Sequence, residues 1–351
     1  MARAIHIIAD DTPADMLAQA VALAHRREAI VSIGPAPRRC RCGRPIVSLH
    51  APLGSAALAG MRLGKLTGDA ELLHAWSPAA AQTARWGAGG RKILLSLSHL
   101  RGIHQVDVAI SGVFDGLWAL TVPTNAQRRE LITLGLSPER VFVLPPAAET
   151  SGDAPRRRNS TREKLGLDNG QFLLAAGGEM VHANGHKPAC WAHAMARILT
   201  DNTRLIFPQS GPARRNIETF ARSTGYDREI FFTAESLSPP DVLTASDAAI
   251  FLQRHDCGVG ALAGAMACGL PILASNRPEI AECSPNGRAA MLSPAGDMRQ
   301  AANNLLILIR NPKLRKKLGR EASILAAKQF APDIATTALR AIYSRVVSQR
   351  S

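Results

Sequence analysis

The sequence predicts an α/β protein made of two doubly wound domains, each a parallel sheet with helices on both faces. Three observations carry that prediction. Short apolar runs alternate with longer helical patterns along most of the chain, the pattern of parallel strands joined by crossover helices. The alternation breaks over Glu149–Thr161, where Ser, Gly, Pro, Asn and Arg replace apolar periodicity. The length of 351 residues exceeds one ordinary core and suits two.

The elements follow in order. Ala4–Ala9 reads as a strand and Pro13–Arg27 as a helix with Pro in its first turn. Ala29–Ile33 and Ile46–His50 are strands around a charged loop, Gly34–Arg44. Leu72–Trp76, Lys92–Leu97, Val106–Ser111 and Ala119–Pro123 are further strands. Ala126–Leu134 is helical and stops at Gly135, a C-cap glycine; Val141–Leu144 is a strand ended by two prolines. The first domain is therefore expected at 1–150, with a linker at 151–161. The pattern restarts with a short helix at Arg162–Leu165 and strands at Phe172–Ala176, Arg204–Pro208, Ile230–Thr233, Ala248–Gln253 and Pro271–Ala274. Helices are expected at Pro188–Leu199, Ala213–Gly225, Ser238–Ala245, Gly260–Cys268, Met298–Ile309 and Lys313–Gln329. The second domain is expected at 162–330, and 331–351 as a C-terminal helix packing back on the first domain. Two such halves should leave a cleft lined by the carboxyl ends of strands, the usual ligand edge of open α/β sheets.

Composition narrows the function. Apolar residues make up 46% and charged residues 20%, with 4% aromatic, so cores must use Leu, Ile, Val and Ala. The net charge of +14 favours anionic partners. Its basic residues cluster at Arg38, Arg39, Arg41 and Arg44 and at Arg156–Arg158, with no aromatic platform or zinc finger, which argues against a nucleic-acid binder. Six cysteines, spread along a large chain, do not form a disulfide scaffold and suit a reducing, cytoplasmic setting. Cys40-Arg41-Cys42 lacks the spacing of a zinc site, so no metal is expected. The N-terminus has no signal-peptide pattern, and no apolar run approaches the roughly 20 residues of a membrane span.

Chemistry concentrates in DCGVGALAGAMACGLPILAS, Asp256–Ser275. A strand ends before it, and Gly258 and Gly260 would let backbone N–H groups approach an anion at the start of the next helix. AMACGLPILAS, then Pro278-Glu279-Ile280, Ala295-Gly296-Asp297 and NPKLRKKLG, resembles the C-terminal domain of the family 4 type GT-B glycosyltransferases, also called glycosyl transferases group 1. QRRELITLGLSPERVFV, Phe172–His186 and Gly211-Pro212 extend the likeness, which covers residues 120 to 350 well and 1 to 119 faintly. The resemblance implies a GT-B fold, with two Rossmann-like domains facing each other across a cleft. It implies transfer of a sugar from a nucleotide-diphosphate donor to a glycan or lipid-linked hydroxyl, usually retaining configuration, with neither metal nor other cofactor. Gly177, Gly178 and Gly211 lie in the stretches that resemble the family's, and with Gly258, Gly260 and Arg254 they are the candidate donor-binding residues.

The chain departs from the family at four positions. The two carboxylates that face donor sugar and ribose become Asp256 and Gly264, and the Arg and Lys that face the diphosphate become Glu179 and Asn184. Losing two cations removes charge-assisted contacts. Arg254 is the best substitute, with Lys187, His182 and His186 nearby. His99, in LLSLSHLRG, sits where the family tends to place a His near the reacting sugar, and His74 ends an earlier strand. His99 and Asp256 are the candidate catalytic residues. The alternative expectation is a catalytically impaired GT-B protein acting as a binding or regulatory partner. Peripheral contact with an anionic membrane through the arginines at 38–44 is a further expectation.

Overall fold

The computed structural model describes residues 3–10, 12–25, 28–34, 46–49, 56–100, 116–148, 154–168, 170–233, 237–254 and 258–349. The chain divides into an N-terminal unit, Met1–Ala147 with Pro332–Ser351, and a C-terminal unit, Ala148–Ala331.

The N-terminal unit holds strands β1 (Ala4–Ala9), β2 (Ala29–Ile33), β3 (Ile46–Leu49), β4 (Leu72–Ala75), β5 (Lys92–Ser96), β6 (Ala119–Val122) and β7 (Val141–Val143). Their order is β3-β2-β1-β4-β5-β6-β7, with every pairing parallel. Alternate residues serve opposite layers, as the pleat requires. Ile7, Leu73 and Leu95 pack with Leu63, Ala80 and Ala84 from helices α2 (Ala56–Leu66) and α3 (Pro78–Gly87). Ile8, Leu72 and Leu94 pack with Met16 and Ala20 of α1 (Ala14–Leu23), and with residues of the C-terminal helix Pro332–Ser348.

That last helix is tied down by a buried polar row. His6 and His74 are register partners on β1 and β4. His74 Nδ1 lies 2.7 Å from the Tyr343 hydroxyl and its Nε2 2.7 Å from Ser96 Oγ, which bonds on to Thr121. Trp76 Nε1–H donates to His6 Nδ1 at 3.1 Å, which leaves His6 Nε2 to donate to Glu28 at 3.3 Å. Burial, reinforced by the neighbouring His6 ring, holds the His74 pKa well below the ordinary histidine value. A neutral ring with both nitrogens occupied is a structural histidine, so His74 is not a catalytic candidate.

The C-terminal unit holds β8 (Phe172–Ala176), β9 (Thr203–Phe207), β10 (Ile230–Phe232), β11 (Ala248–Phe251), β12 (Ile272–Ser275) and β13 (Ala290–Ser293). The order β10-β9-β8-β11-β12-β13 is again parallel throughout, and the strand order reverses between β8 and β11. Such switch points are where open α/β sheets bind ligands.

The expected linker at 151–161 is corrected in part. Helix α5 runs from Ala154 to Lys164, after α4 (Asn125–Thr133). Polarity hid it, because its anchors are arginines. Arg158 donates to the Ala245 carbonyl at 3.0 Å and to Asp247 at 2.7 Å, and Arg162, 3% exposed, donates to Ala245 and Asp168 carbonyls. The bonds to Ala245 satisfy a carbonyl at the end of α8 (Pro239–Ala245), after α6 (His186–Arg197) and α7 (Arg214–Ser223). The expected strand at 106–111 lies outside the described residues.

Candidate donor site in the C-terminal unit

The parallel strands bring distant residues to one edge. Gly177-Gly178 follows β8, Gly211 follows β9, Gln253-Arg254 follows β11, Ser275 ends β12 and Gly296 follows β13. Helix α9 (Gly260–Ala267) starts at the same edge after Gly258.

The glycines on this edge answer steric demands. A Cβ at Gly177 would overlap the Phe251 ring, and one at Gly211 would stand 2.6 Å from the Met180 carbonyl oxygen. The loop after β8 is therefore pressed against both β11 and the β9 turn, where Ala213 N–H donates to Met180 at 2.8 Å. Gly178, at φ +90, turns this loop.

The positions that differ from the family pattern have their own structural roles. Asn184 Nδ2 donates to the Glu179 carbonyl at 2.8 Å and closes the loop. Glu179 is half-buried beside it. Gly264 lies within α9, half-buried, and a Cβ there would meet only Leu243 Cδ1, at 3.7 Å. Packing does not require glycine at that position, and glycine inside a helix costs about 1 kcal/mol relative to alanine.

Among the four basic candidates, geometry separates one. Lys187 places its ammonium 5.5 Å over the Phe220 ring, and His182 Nε2 meets Asn216 at 3.2 Å. His186 is buried, and burial pushes its pKa down to about 4 against a smaller pull from the backbone of Val181, Gly178 and Gly177. It is neutral at pH 7 and is no cation for a phosphate, which corrects its place among the basic candidates. Arg254 is exposed and makes no hydrogen bond or ion pair among the described residues. Its guanidinium reaches from the end of β11 to the end of β13, where a Cβ on Gly296 would stand 3.4 Å from Nε. Gly296, at φ +88, makes a tight turn and leaves room for that side chain.

Two buried acceptors on the same edge were not singled out by the sequence. Gln253 Oε1 and Ser275 Oγ, at the ends of adjacent strands, are buried without a partner among the described residues. Nothing in the linear pattern marks a polar residue at the close of an apolar strand as unpartnered. No side chain among the described residues caps α9, whose first turn leaves N–H groups without helical partners at the strand edge. The edge thus combines unpaired backbone donors, one free guanidinium and two unsatisfied acceptors, which suits an anionic ligand with hydroxyls. Asp256 lies outside the described residues. His99 belongs to the N-terminal unit, follows β5 and is half-buried. No cluster of His, Cys, Asp and Glu that could hold a metal occurs among the described residues.

Comparison with known proteins fits this architecture. A family model described as glycosyl transferases group 1 matches residues 157–324. The crystal structure of Anabaena Alr3699/HepE in complex with UDP and glucose superposes with a TM-score of 0.83 at 14% identity, covering 98% of this chain and 100% of that one. The fold is GT-B. By sequence, the D-inositol 3-phosphate glycosyltransferase of Gordonia bronchialis is 25% identical over 67% of this chain. The N-acetyl-alpha-D-glucosaminyl L-malate synthase of Bacillus anthracis is 23% identical over 44% of it. The matched stretches span 54% and 41% of those two relatives' own lengths.

Proposed function

We propose that the chain is a glycosyltransferase of the family 4 type that takes a nucleotide-diphosphate sugar at the strand edge of its C-terminal unit. The observation that carries this reading is that the group 1 family match at 157–324 falls on the unit that holds the edge. The glycines at 177, 178, 211, 258 and 260 stand at that edge or begin the helix beside it. The solved HepE complex, with UDP and glucose, supports the donor class.

In this reading the bond from the anomeric carbon to the diphosphate breaks and its electron pair goes to the leaving oxygen. The acceptor hydroxyl bonds to the anomeric carbon, and its proton leaves with the diphosphate. Configuration is retained and no metal or other cofactor takes part, as the family resemblance implies. Charge on the leaving group is met by the backbone N–H groups at Gly258–Gly260 and by Arg254, which replaces the lost pair of family cations. Asp256 and His99 are the candidate catalytic groups toward donor and acceptor. The acceptor is a glycan or lipid-linked hydroxyl.

Arg254→Ala tests the substitution directly. Calorimetry with UDP, GDP and ADP sugars should show about tenfold weaker binding, the loss of one charge-assisted contact. Unchanged affinity would remove Arg254 from the site. Gly264→Glu runs the other way. A Cβ there makes only an ordinary contact with Leu243 Cδ1, so a restored carboxylate should bind ribose hydroxyls and tighten nucleotide affinity about tenfold. No gain would mean that the ribose lies elsewhere.

A second reading, a donor-binding GT-B protein without turnover, is favoured by the Asn184 to Glu179 hydrogen bond, which occupies the loop where the family places cations. Binding of a nucleotide sugar with neither transfer nor hydrolysis would select it.

A further inference from the structure

We propose that the groove between helices α5 and α8 in the C-terminal unit binds a phosphate monoester of a small hydroxylated compound, at a place separate from the donor edge. The groove has a volume of about 310 Å³, enough for one small ligand. It carries three cations, Arg156, Arg157 and Lys164, against one carboxylate, Asp241, among the described residues. Glu163, the acidic residue of α5, does not line it.

Spacing on α5 brings these groups together. Arg156, Ser160 and Lys164 recur at every fourth residue and so share one helical face, with Arg157 and Thr161 beside them. The adjoining face fixes the helix. Arg158 and Arg162 both donate to the Ala245 carbonyl and to Asp247, and Asp247 accepts the Leu173 N–H at 2.9 Å. Helix α5 is thereby clamped to α8, and the groove between them has set walls. Arg157 pairs with Asp241 at 3.6 Å. Arg156 and Lys164 are exposed and make no hydrogen bond or ion pair among the described residues. The Ser160 and Thr161 hydroxyls between them have no hydrogen-bond partner there either.

This set of groups chooses the ligand. Arg156 and Lys164 meet a phosphate dianion with charge-assisted bonds, the guanidinium in bidentate form. Ser160 and Thr161 add neutral donors. Asp241, half-buried, accepts from hydroxyls on the body that the phosphate carries, and buried Leu237 gives that body an apolar wall. No residue of the donor edge lines the groove. Arg162 also donates to the Gln171 carbonyl, just before β8, which sets the Lys164 end of α5 at the amino ends of the strands. The donor edge lies at their carboxyl ends, so the proposal does not rest on the donor reading.

The test is calorimetry on the full chain with glucose 6-phosphate, inorganic phosphate and glucose as probes, with and without excess UDP. Glucose 6-phosphate should bind, glucose should not, and inorganic phosphate should bind about tenfold more weakly than the ester. UDP should leave the binding of the ester unchanged. The double variant Arg156→Gln, Lys164→Gln alters only exposed side chains and should fold, which far-UV circular dichroism checks. Its affinity for glucose 6-phosphate should fall roughly tenfold. Equal affinity in wild type and double variant would overturn the proposal, because the ester would then sit on other cations. No binding to the wild type would do the same. So would displacement by UDP, which would put the ester on the donor edge. Inorganic phosphate binding as tightly as the ester would overturn the ester as the occupant.

Discussion

Acidification from pH 6.5 to 4 is expected to cost the C-terminal unit several kcal/mol. His186 and His193 are both buried, and neither ring has a hydrogen-bond partner among the described residues. Burial pushes the His186 pKa down to about 4. Burial, and then the charges of Arg197 and Arg204, push His193 down to about 3. The unfolded chain takes up these protons at the ordinary value near 6.5, and the folded chain resists them. Stability is therefore intact above pH 6.5 and is lost as pH falls toward the folded values. By pH 4 each histidine has cost on the order of 3 kcal/mol. His74 acts in the same direction in the N-terminal unit. Urea midpoints at several pH values check this. In His193→Phe, which keeps the ring contact with Tyr226 without a titrating group, the acid loss should shrink by about half. An unchanged slope would show that other groups dominate.

The second large effect belongs to Gly185. Its φ is +71, and a Cβ there would overlap the Leu252 carbonyl oxygen, which as backbone has little room to move. Gly185→Ala should cost roughly 3 kcal/mol, the left-handed penalty plus the overlap. Gly225, at φ +64 with nothing within 4 Å, is the control. Gly225→Ala carries the conformational cost alone, about 1 kcal/mol. Gly185 also separates the Asn184 staple from His186 and touches the strand end that carries Arg254. Donor binding should therefore weaken together with stability. A denaturation midpoint for Gly185→Ala equal to that of Gly225→Ala would refute the overlap.

Much of the fold was legible because buried parallel strands write themselves as apolar runs. β8 was read at its observed bounds, Phe172–Ala176. Strand β13 was missed because AMLS, at Ala290–Ser293, is short and follows a turn-rich stretch. Helices α2 and α3 were missed for a more telling reason. Gly60, Gly64 and Gly87 read as breakers, and Leu58, Met61 and Leu66 on the outer face erase the helical period. Helix α5 was hidden by arginines that bond to carbonyls.

The site was legible in its glycines, since tight turns after strands leave a local signature. It was less legible in its polar groups. Whether His186 is charged, whether Lys187 faces a ring and whether Gln253 and Ser275 lack partners depends on residues far apart in the chain.

The central claim is that the C-terminal unit binds a nucleotide-diphosphate sugar. A thermal-shift screen with UDP, GDP, ADP and their sugars tests it most directly, because a ligand that binds only the folded state raises its midpoint. At about a hundredfold excess over Kd the gain is about 2.7 kcal/mol, a shift of a few degrees. One nucleotide series should produce that shift in the wild type, with a smaller one in Arg254→Ala. An unmoved midpoint with every donor at millimolar concentration would contradict the account.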